Sequence, residues 1–296
     1  MNISAEKKSE PKTWDTFLYS GEKHLLLARL RHLAELIDYF VILESSYTFS
    51  GRERSVDYDF REKILKEYGS KVSWIVLEEF QEGTAWQREA FQRQFLTLGL
   101  HDLNIGDLVI LSDLDEIPNA HFVRSLYKVK DKVFVIAKID LFRYCPHYLS
   151  SEIWYGPIGF RYDGSQLDFQ LLRMRAVRHW QEKDCIIIDD AGVHCSSFLS
   201  THELKDKIRS FSHTELNTFP WNNSLFLFLL SKFGVSFDGK EVLKLTRRLD
   251  HTHFGNLCSR KHRADRIRVF AASKIARITE CAFEKYVSKL SGPGQE

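Results

Sequence analysis

The sequence has no excess of charge of either sign, since 42 Lys and Arg face 40 Asp and Glu in 296 residues. The formal net charge of +2 gives no indication that nucleic acid is a partner. The sequence also lacks a C-x-x-C pair, and its cysteines are odd in number. We therefore expect free thiols in a reducing compartment at all five positions, Cys145, Cys185, Cys195, Cys258 and Cys281.

Long apolar segments are missing as well. Residues 1–13 are polar and show no signal-peptide pattern, so we expect a mobile N-terminus. The longest apolar run, near residues 225–230, is far too short to cross a bilayer. These absences predict a cytoplasmic protein. The chain also has no internal repeat and no low-complexity segment.

The alternation of apolar segments predicts an α/β fold with a mostly parallel central sheet flanked by helices. Strands are expected at residues 16–19, 39–43, 72–77 and 108–111, with helices at 22–36, 60–68 and 86–98 between them. Residues 140–190 are rich in aromatics and read as antiparallel strands, and the chain turns helical after about residue 201. We expect one domain over residues 14–240 and a basic helical extension over residues 241–296. In such sheets, ligands bind at the carboxyl ends of the strands.

An acidic segment follows the fourth predicted strand directly, with the sequence Ser112-Asp113-Leu114-Asp115-Glu116-Ile117-Pro118. In an extended chain, positions i and i+2 face the same side, so Asp113 and Asp115 are expected to converge. Two converging carboxylates favour a hard divalent cation such as Mn²⁺ or Mg²⁺, which can neutralise a diphosphate leaving group. The alternative is an Asx-turn or a helix cap without any metal.

These residues resemble glycosyltransferase family 17. The similarity includes Glu22 to Gly51, the helix that carries Arg88 and Arg93, the acidic segment, and Ala191-Gly192-Val193-His194-Cys195-Ser196. The resemblance implies a GT-A fold, a nucleotide-sugar donor (a UDP-sugar first), a glycan acceptor, a divalent metal, and inversion at the anomeric carbon. GlcNAc is the first expectation for the sugar, with xylose or another sugar as alternatives. Val193 departs from the family's Trp, and residues 140–185 match poorly.

The resemblance also suggests roles for residues outside the acidic pair. His194 is a candidate third metal ligand, with a buried backbone-bonded histidine as the alternative. Glu44, Arg88 and Arg93, with Asp113, are the candidate donor-binding residues. Arg88 and Arg93 lie about 140° apart around their helix, so only one of them is expected to reach the donor.

An inverting transfer needs a general base for the acceptor hydroxyl. Glu116 is the first candidate and Asp168 the second, with Asp163 and Asp190 also considered. Trp154 and Tyr155 are the candidate acceptor wall, because aromatic faces stack on sugars. Core packing is the alternative for both aromatic residues.

Two rival functions fit parts of the same pattern. The segment LVILSDLDEI is similar to the start of a haloacid-dehalogenase-like phosphatase, in which Asp113 would be the nucleophile. A non-catalytic carbohydrate-binding protein with a structural cation is the other alternative. The basic C-terminal segment allows peripheral contact with an anionic membrane or is a plain solvated surface.

Overall fold

The computed structural model describes residues 10–130, 132–178, 184–238 and 241–245. Ten strands form one sheet in the order β3-β2-β1-β4-β7-β6-β9-β5, with β8 beside β6 and β10 beside β7. The strands are β1 (Thr13–Tyr19), β2 (Tyr39–Ser45), β3 (Val72–Leu77), β4 (Leu108–Leu111), β5 (Glu116–Pro118), β6 (Phe134–Arg143), β7 (Tyr148–Arg161), β8 (Cys185–Ile188), β9 (Gly192–Ser196) and β10 (Lys244–Leu245).

Strands β3, β2, β1 and β4 are parallel, and β7 then joins β4 in the antiparallel sense. Helices cover both faces of these parallel strands, so residues that point to either face are buried, including the polar Asp15 and Thr16 of β1. Every residue of β1 and β4 is buried. Beyond β7 the sheet is mixed, since β6 pairs with β7 antiparallel but with β8 and β9 parallel.

Seven α-helices accompany the sheet in the described part of the chain: α1 (Lys23–Leu33), α2 (Tyr58–Tyr68), α3 (Ala85–Phe95), α4 (Ala120–Leu126), α5 (Phe169–Arg178), α6 (Thr201–Ser210) and α7 (Ser224–Phe233). Capping boxes begin two of them. Thr84 and Gln87 cap α3, and Ser200 and Glu203 cap α6, so that free backbone N–H groups at both helix starts are satisfied. None of the helices within the described ranges is both long and apolar enough to traverse a bilayer.

The two faces of the sheet each carry a hydrophobic core. One core includes Phe17 and Phe122, and the other includes Trp14 and Phe169. A smaller third core around Trp221 lies beneath α6 and α7. This third core fixes α6 beside the carboxyl ends of the parallel strands, where a functional site was expected.

The predicted α/β class is confirmed, and the four opening strands occur where the hydrophobic pattern places them. Helix α5 was not predicted, because residues 140–190 were expected to be antiparallel strands. Residues 241–245 were expected to begin a helical extension, but Lys244 and Leu245 pair with β7 instead. The rest of the expected basic extension, residues 246–296, lies outside the described residues, as do residues 1–9 of the expected mobile N-terminus.

Candidate active site

A wide cleft of about 1640 Å³ opens at the carboxyl ends of β1 and β4. Its lining includes Asp113, Asp115, Arg93, Trp154 and His194, all of which the sequence had singled out. They arrive from separate parts of the chain, on the turn after β4, on α3, on β7 and on β9. The fold therefore brings most of the predicted metal, donor and acceptor residues to one cleft.

The acidic segment is a turn rather than an extended strand. The amide of Glu116 donates to the carbonyl of Asp113 at 3.1 Å, and the Glu116 carboxylate accepts from the Asp113 amide at 3.1 Å. Asp113 and Asp115 were expected to converge because alternate residues of a strand face the same side. This prediction is wrong, because the segment is not a strand. Both side chains still line the cleft, but the turn directs them toward different cations.

Arg29 on α1 holds this turn from beneath. Its guanidinium is fully buried and paired with Asp15 at 2.6 Å. The same group donates to the backbone carbonyls of Asp113, Leu114 and Glu116 at 2.8–3.2 Å. A buried guanidinium with its partners in place orders the loop backbone, so Arg29 fixes the position from which both aspartates extend.

Asp113 belongs to a first ion-pair network. Arg173 on α5 donates to Asp113 at 2.7 Å, and Arg93 on α3 donates to it at 3.2 Å. Arg93 also bonds Glu89 at 2.6 Å, and Arg173 bonds Glu116 at 2.6 Å. Desolvation raises the pKa of Asp113, but Arg173 and Arg93 more than offset it, so this pKa lies below the ordinary value. Asp113 is therefore an ionised carboxylate at neutral pH.

Glu116 is not placed to act as a general base. Its side chain is fully buried, and its carboxylate accepts hydrogen bonds from Arg173, from the Trp154 indole at 2.5 Å and from the Asp113 amide. A base must reach the acceptor hydroxyl with a free lone pair. Glu116 instead joins the acidic turn to α5 and β7.

Asp115 belongs to a second network. Lys207 on α6 lies 3.1 Å from Asp115 and 3.6 Å from Glu22. The Nε2 atom of His194 lies 3.5 Å from the other Asp115 oxygen. Desolvation raises the pKa of Asp115, but Lys207 and His194 reverse the effect and hold it well below the usual range. Asp115 is thus ionised and already compensated by a lysine.

Strand pairing brings His194 to the acidic turn. Glu116 of β5 faces His194 of β9 in the antiparallel register, and the Cys195 amide donates to the Asp115 carbonyl at 2.7 Å. The His194 ring packs against Trp154 with centroids 4.7 Å apart. Its Nδ1 atom is buried and has no hydrogen-bond partner among the described residues, so the alternative of a backbone-bonded histidine does not describe this ring.

Several predicted donor and acceptor residues lie elsewhere. Arg88 holds two loops by donating to the carbonyls of Phe49 and Gly83. Tyr155 packs into the core with Trp14, because adjacent strand residues face opposite sides and Trp154 takes the cleft side. Neither Arg88 nor Tyr155 lines the cleft.

Glu44 is also outside the cleft, buried at the end of β2 next to Tyr19 and Arg54. Burial raises the pKa of Glu44, and Arg54 opposes the shift. One Glu44 oxygen has no hydrogen-bond partner within the described ranges. Glu44 is therefore buried and is not among the residues that line the cleft.

The remaining candidate bases lie outside the cleft lining. Asp168 is exposed and accepts from the Leu171 amide at the start of α5, as a helix cap does. Asp163 is exposed and accepts from the Ser165 amide. Asp190 lines a separate depression beside Lys138 and Asp189. None of the three lines the cleft.

Arg173 and Lys207 were not predicted. Arg173 lies on the buried face of α5, four residues after Phe169 and three before Ala176, whereas Lys207 is partly exposed and is not on the buried face of α6 formed by Leu204 and Ile208. A charged residue within a buried helical stripe signals a partner elsewhere in the fold. That signal marks Arg173 once α5 is recognised as a helix, although it does not identify the partner, and no such signal marks Lys207.

The donor atoms of the site fit a divalent cation in part. Two carboxylates and the His194 imidazole are ligand types that Mn²⁺ accepts, and the remaining positions are filled by water or phosphate oxygens in such sites. Among the described residues, no three Asp, Glu, His or Cys side chains already surround one point as metal ligands would. The protein's own cations occupy the space between the carboxylates.

The sheet order and the acidic cleft at its carboxyl edge define an α/β protein of the GT-A type. The model of glycosyltransferase family 17 matches residues 3–220. The chain belongs to glycosyltransferase family 17, as the sequence motifs predicted.

Individual relatives cover less of the chain. It is 34% identical over 108 residues to the human and rat β-1,4-mannosyl-glycoprotein 4-β-N-acetylglucosaminyltransferases, a match of 33% of this chain and 20% of theirs. The match thus spans about a fifth of the length of these enzymes.

Solved structures are similar at lower identity. A mannosyltransferase of Pyrobaculum calidifontis in complex with GDP-Man and Mn²⁺ is 10% identical, with a TM-score of 0.36 over 78% of this chain and 72% of that chain. The inositol-1-phosphate CTP transferase of T. maritima is 11% identical, with a TM-score of 0.32 over 64% of this chain and 86% of that chain.

Proposed function

We propose that the protein transfers a sugar from a nucleoside-diphosphate sugar to a glycan hydroxyl, with inversion, and that a divalent cation assists. The observation that carries this proposal is the charge of the cleft. Within the described residues, the first network holds Glu89, Asp113 and Glu116 against two arginines, and the second holds Glu22 and Asp115 against one lysine. Each network has one carboxylate more than it has cations, and one divalent ion would supply the missing charge of both.

The cation would be held by Asp113, Asp115 and His194, and it would neutralise charge on the departing diphosphate. The protein's own groups contribute in two ways. Arg93 and Arg173 hold Asp113 ionised, and their guanidinium groups lie at the cleft wall where phosphate oxygens can be bound. Trp154 presents an aromatic face at the same cleft, where a sugar ring can stack.

Family membership favours this function over the two alternatives. A haloacid-dehalogenase-like phosphatase would need Asp113 as an unhindered nucleophile, but two arginines hold its carboxylate. The other alternative, a non-catalytic carbohydrate-binding protein, would bind a glycan without needing a nucleotide. The donor is proposed to be UDP-GlcNAc first, with UDP-xylose or another sugar nucleotide as alternatives.

A transfer assay tests the proposal. The protein is incubated with UDP-GlcNAc, UDP-xylose or GDP-mannose, an oligosaccharide acceptor and Mn²⁺, and product and free nucleoside diphosphate are quantified. We expect Asp113→Asn and Asp115→Asn each to lower the rate by roughly 100-fold or more, the scale of losing one electrostatic contact to a leaving group. NMR of the product should show the inverted anomer.

The matched control is Asp189→Asn. Asp189 is an exposed aspartate that pairs with Lys138 outside the cleft, so its loss should leave the rate unchanged. Full activity in EDTA would refute the proposed metal dependence. Phosphate-ester hydrolysis without any sugar transfer would favour the phosphatase instead.

A further inference from the structure

A half-exposed tryptophan lines the cleft at a distance from the acidic turn. Trp86 lies in the first turn of α3, and 51% of its surface is exposed. It lines the same cleft as Asp113. An aromatic ring that packs in a core is buried, so core packing does not account for a tryptophan in this position. Its indole is available to a ligand in the cleft.

Neighbouring groups fix the position of Trp86. The His213 ring lies nearly perpendicular to the indole, with ring centroids 4.8 Å apart and planes at 85°. The His213 Nδ1 atom lies 2.7 Å from a carboxylate oxygen of Glu215. The Ser212 hydroxyl donates to Glu89, so the segment after α6 is joined to the helix that carries the tryptophan. A ring that is held in this way loses little freedom when a ligand stacks on it.

Helix α3 connects this tryptophan to the acidic turn. Trp86, Glu89 and Arg93 lie within about 60° of one another around the helix, so they share one face. All three line the cleft. Arg93 donates to Asp113 at 3.2 Å, and the helical rise places Trp86 about 10 Å from Arg93 along the axis. This face thus has a guanidinium at the acidic turn and an aromatic ring about two helical turns away from it.

A nucleoside diphosphate carries chemical groups that match this face. Its phosphates are anionic, its base is flat and aromatic, and the ribose separates the two. Arginine binds phosphate oxygens, and an aromatic side chain stacks on any base. A neutral glycan also stacks on aromatic rings, but it brings no anion to the arginine at the other end of the face. The combination of charge and spacing therefore favours a nucleotide along α3.

We infer that the indole of Trp86 stacks on the base of the bound nucleoside diphosphate, and that His213 holds the ring in position. This inference rests on the proposed function for the nucleotide itself, and it adds the residue that binds the nucleoside. Every base has an aromatic face, so Trp86 contributes affinity for the nucleotide and does not choose among bases.

Calorimetric titration of UDP, GDP and inorganic pyrophosphate, all with Mn²⁺ present, tests the stacking. Trp86→Ala should weaken the binding of the tighter nucleotide by about tenfold or more, the scale of losing one stacked base. Pyrophosphate has no base, so its affinity should change by less than about twofold. Trp86→Phe keeps an aromatic ring and should bind the nucleotide within about threefold of the unchanged protein.

The matched control is Phe228→Ala. Phe228 is an aromatic residue on α7 that is 43% exposed and does not line the cleft, so its removal should leave the nucleotide affinity unchanged. Circular dichroism verifies that each variant is folded.

The outcomes separate the inference from the proposed function. If the unchanged protein binds UDP or GDP and Trp86→Ala binds it equally well, the stacking is wrong and the proposed function stands. Equal losses of pyrophosphate and nucleotide affinity in Trp86→Ala would also overturn the stacking, because the loss would not depend on a base. So would a raised KM for the acceptor glycan with unchanged nucleotide affinity, which would place Trp86 at the acceptor. If the affinities shift as expected but no sugar is transferred, the proposed transfer fails and the nucleoside site stands.

Discussion

Arg173 shares its buried guanidinium between Asp113 and Glu116, so it connects a group that faces the cleft to one that is fully enclosed. These two carboxylates hold the pKa of Arg173 above its ordinary value despite burial, which lowers it. The pair is a consequence of the fold, because Glu116 and Arg173 lie 57 residues apart. Breaking a buried pair from one side leaves an uncompensated charge, which is costlier than the net contribution of the pair.

Replacing Arg173 with methionine should therefore lower the free energy of unfolding by about 3–5 kcal/mol. Urea denaturation measures the loss. Adding Glu116→Gln to the same chain should recover part of it, because the stranded charge is removed.

The control for this prediction is Arg175→Met on the same helix. Arg175 pairs with the half-exposed Asp184, so its removal should cost less than about 1 kcal/mol. Equal losses of unfolding free energy in Arg173→Met and Arg175→Met would show that the buried network contributes no more to stability than the partly exposed ion pair.

The sequence predicted which residues line the cleft, but it did not predict their ion-pair partners, and the difference has a physical reason. Asp113, Asp115, His194 and Trp154 all line the cleft, as strand ends and motifs indicated. Their partners could not be derived, since ion pairs such as Lys207 with Asp115 join residues 92 positions apart and leave no local periodicity. Glu116 was the first candidate for the general base because it lies next to the acidic pair in the sequence. That position does not indicate that its side chain is buried.

Among the elements, strands β5 and β9 form the short pairing that carries His194 to the acidic turn. Gly192 begins β9 with φ +156°, and a Cβ there would lie 2.3 Å from the Ile117 carbonyl oxygen. The pairing thus depends on the close approach of two backbones. Only glycine permits that approach without displacement.

We expect Gly192→Ala to lower the free energy of unfolding by about 2–3 kcal/mol, through overpacking and backbone strain. Thermal and urea denaturation measure the change. Gly106→Ala is the control, because Gly106 has φ +99° but no atom of the described residues within 4 Å of an added Cβ. It should lose only about 1–2 kcal/mol from the left-handed backbone. A Gly192 variant as stable as the Gly106 variant would contradict the close-approach argument.

Elements with strong hydrophobic periods were predictable, and the others were not. The apolar strands β3 and β4 match the expected residues. Helix α5 was missed, since residues 140–185 match the family poorly and contain many aromatics typical of strands. The acidic segment was expected to be extended, but side chain to backbone bonds within it favour a turn.

For the whole molecule, the order of strands and helices along the chain predicted the location of the cleft, because ligands bind at the carboxyl ends of parallel strands. The third hydrophobic core was not predicted. That core, which includes Leu204, Ile208 and Trp221, holds α6 and so delivers Lys207 to Asp115. Contact of the basic segment 246–296 with a membrane stays a prediction, because these residues lie outside the described ranges.

In the proposed function, one divalent cation and one nucleoside diphosphate bind together in the cleft. Isothermal titration of UDP and GDP into the protein, with and without Mn²⁺, measures this joint binding. We expect Mn²⁺ to tighten the binding of at least one of the two nucleotides by tenfold or more, about 1.4 kcal/mol. The double variant Asp113→Asn with Asp115→Asn should lose this enhancement. Nucleotide binding that ignores Mn²⁺, or that survives unchanged in the double variant, would contradict the account.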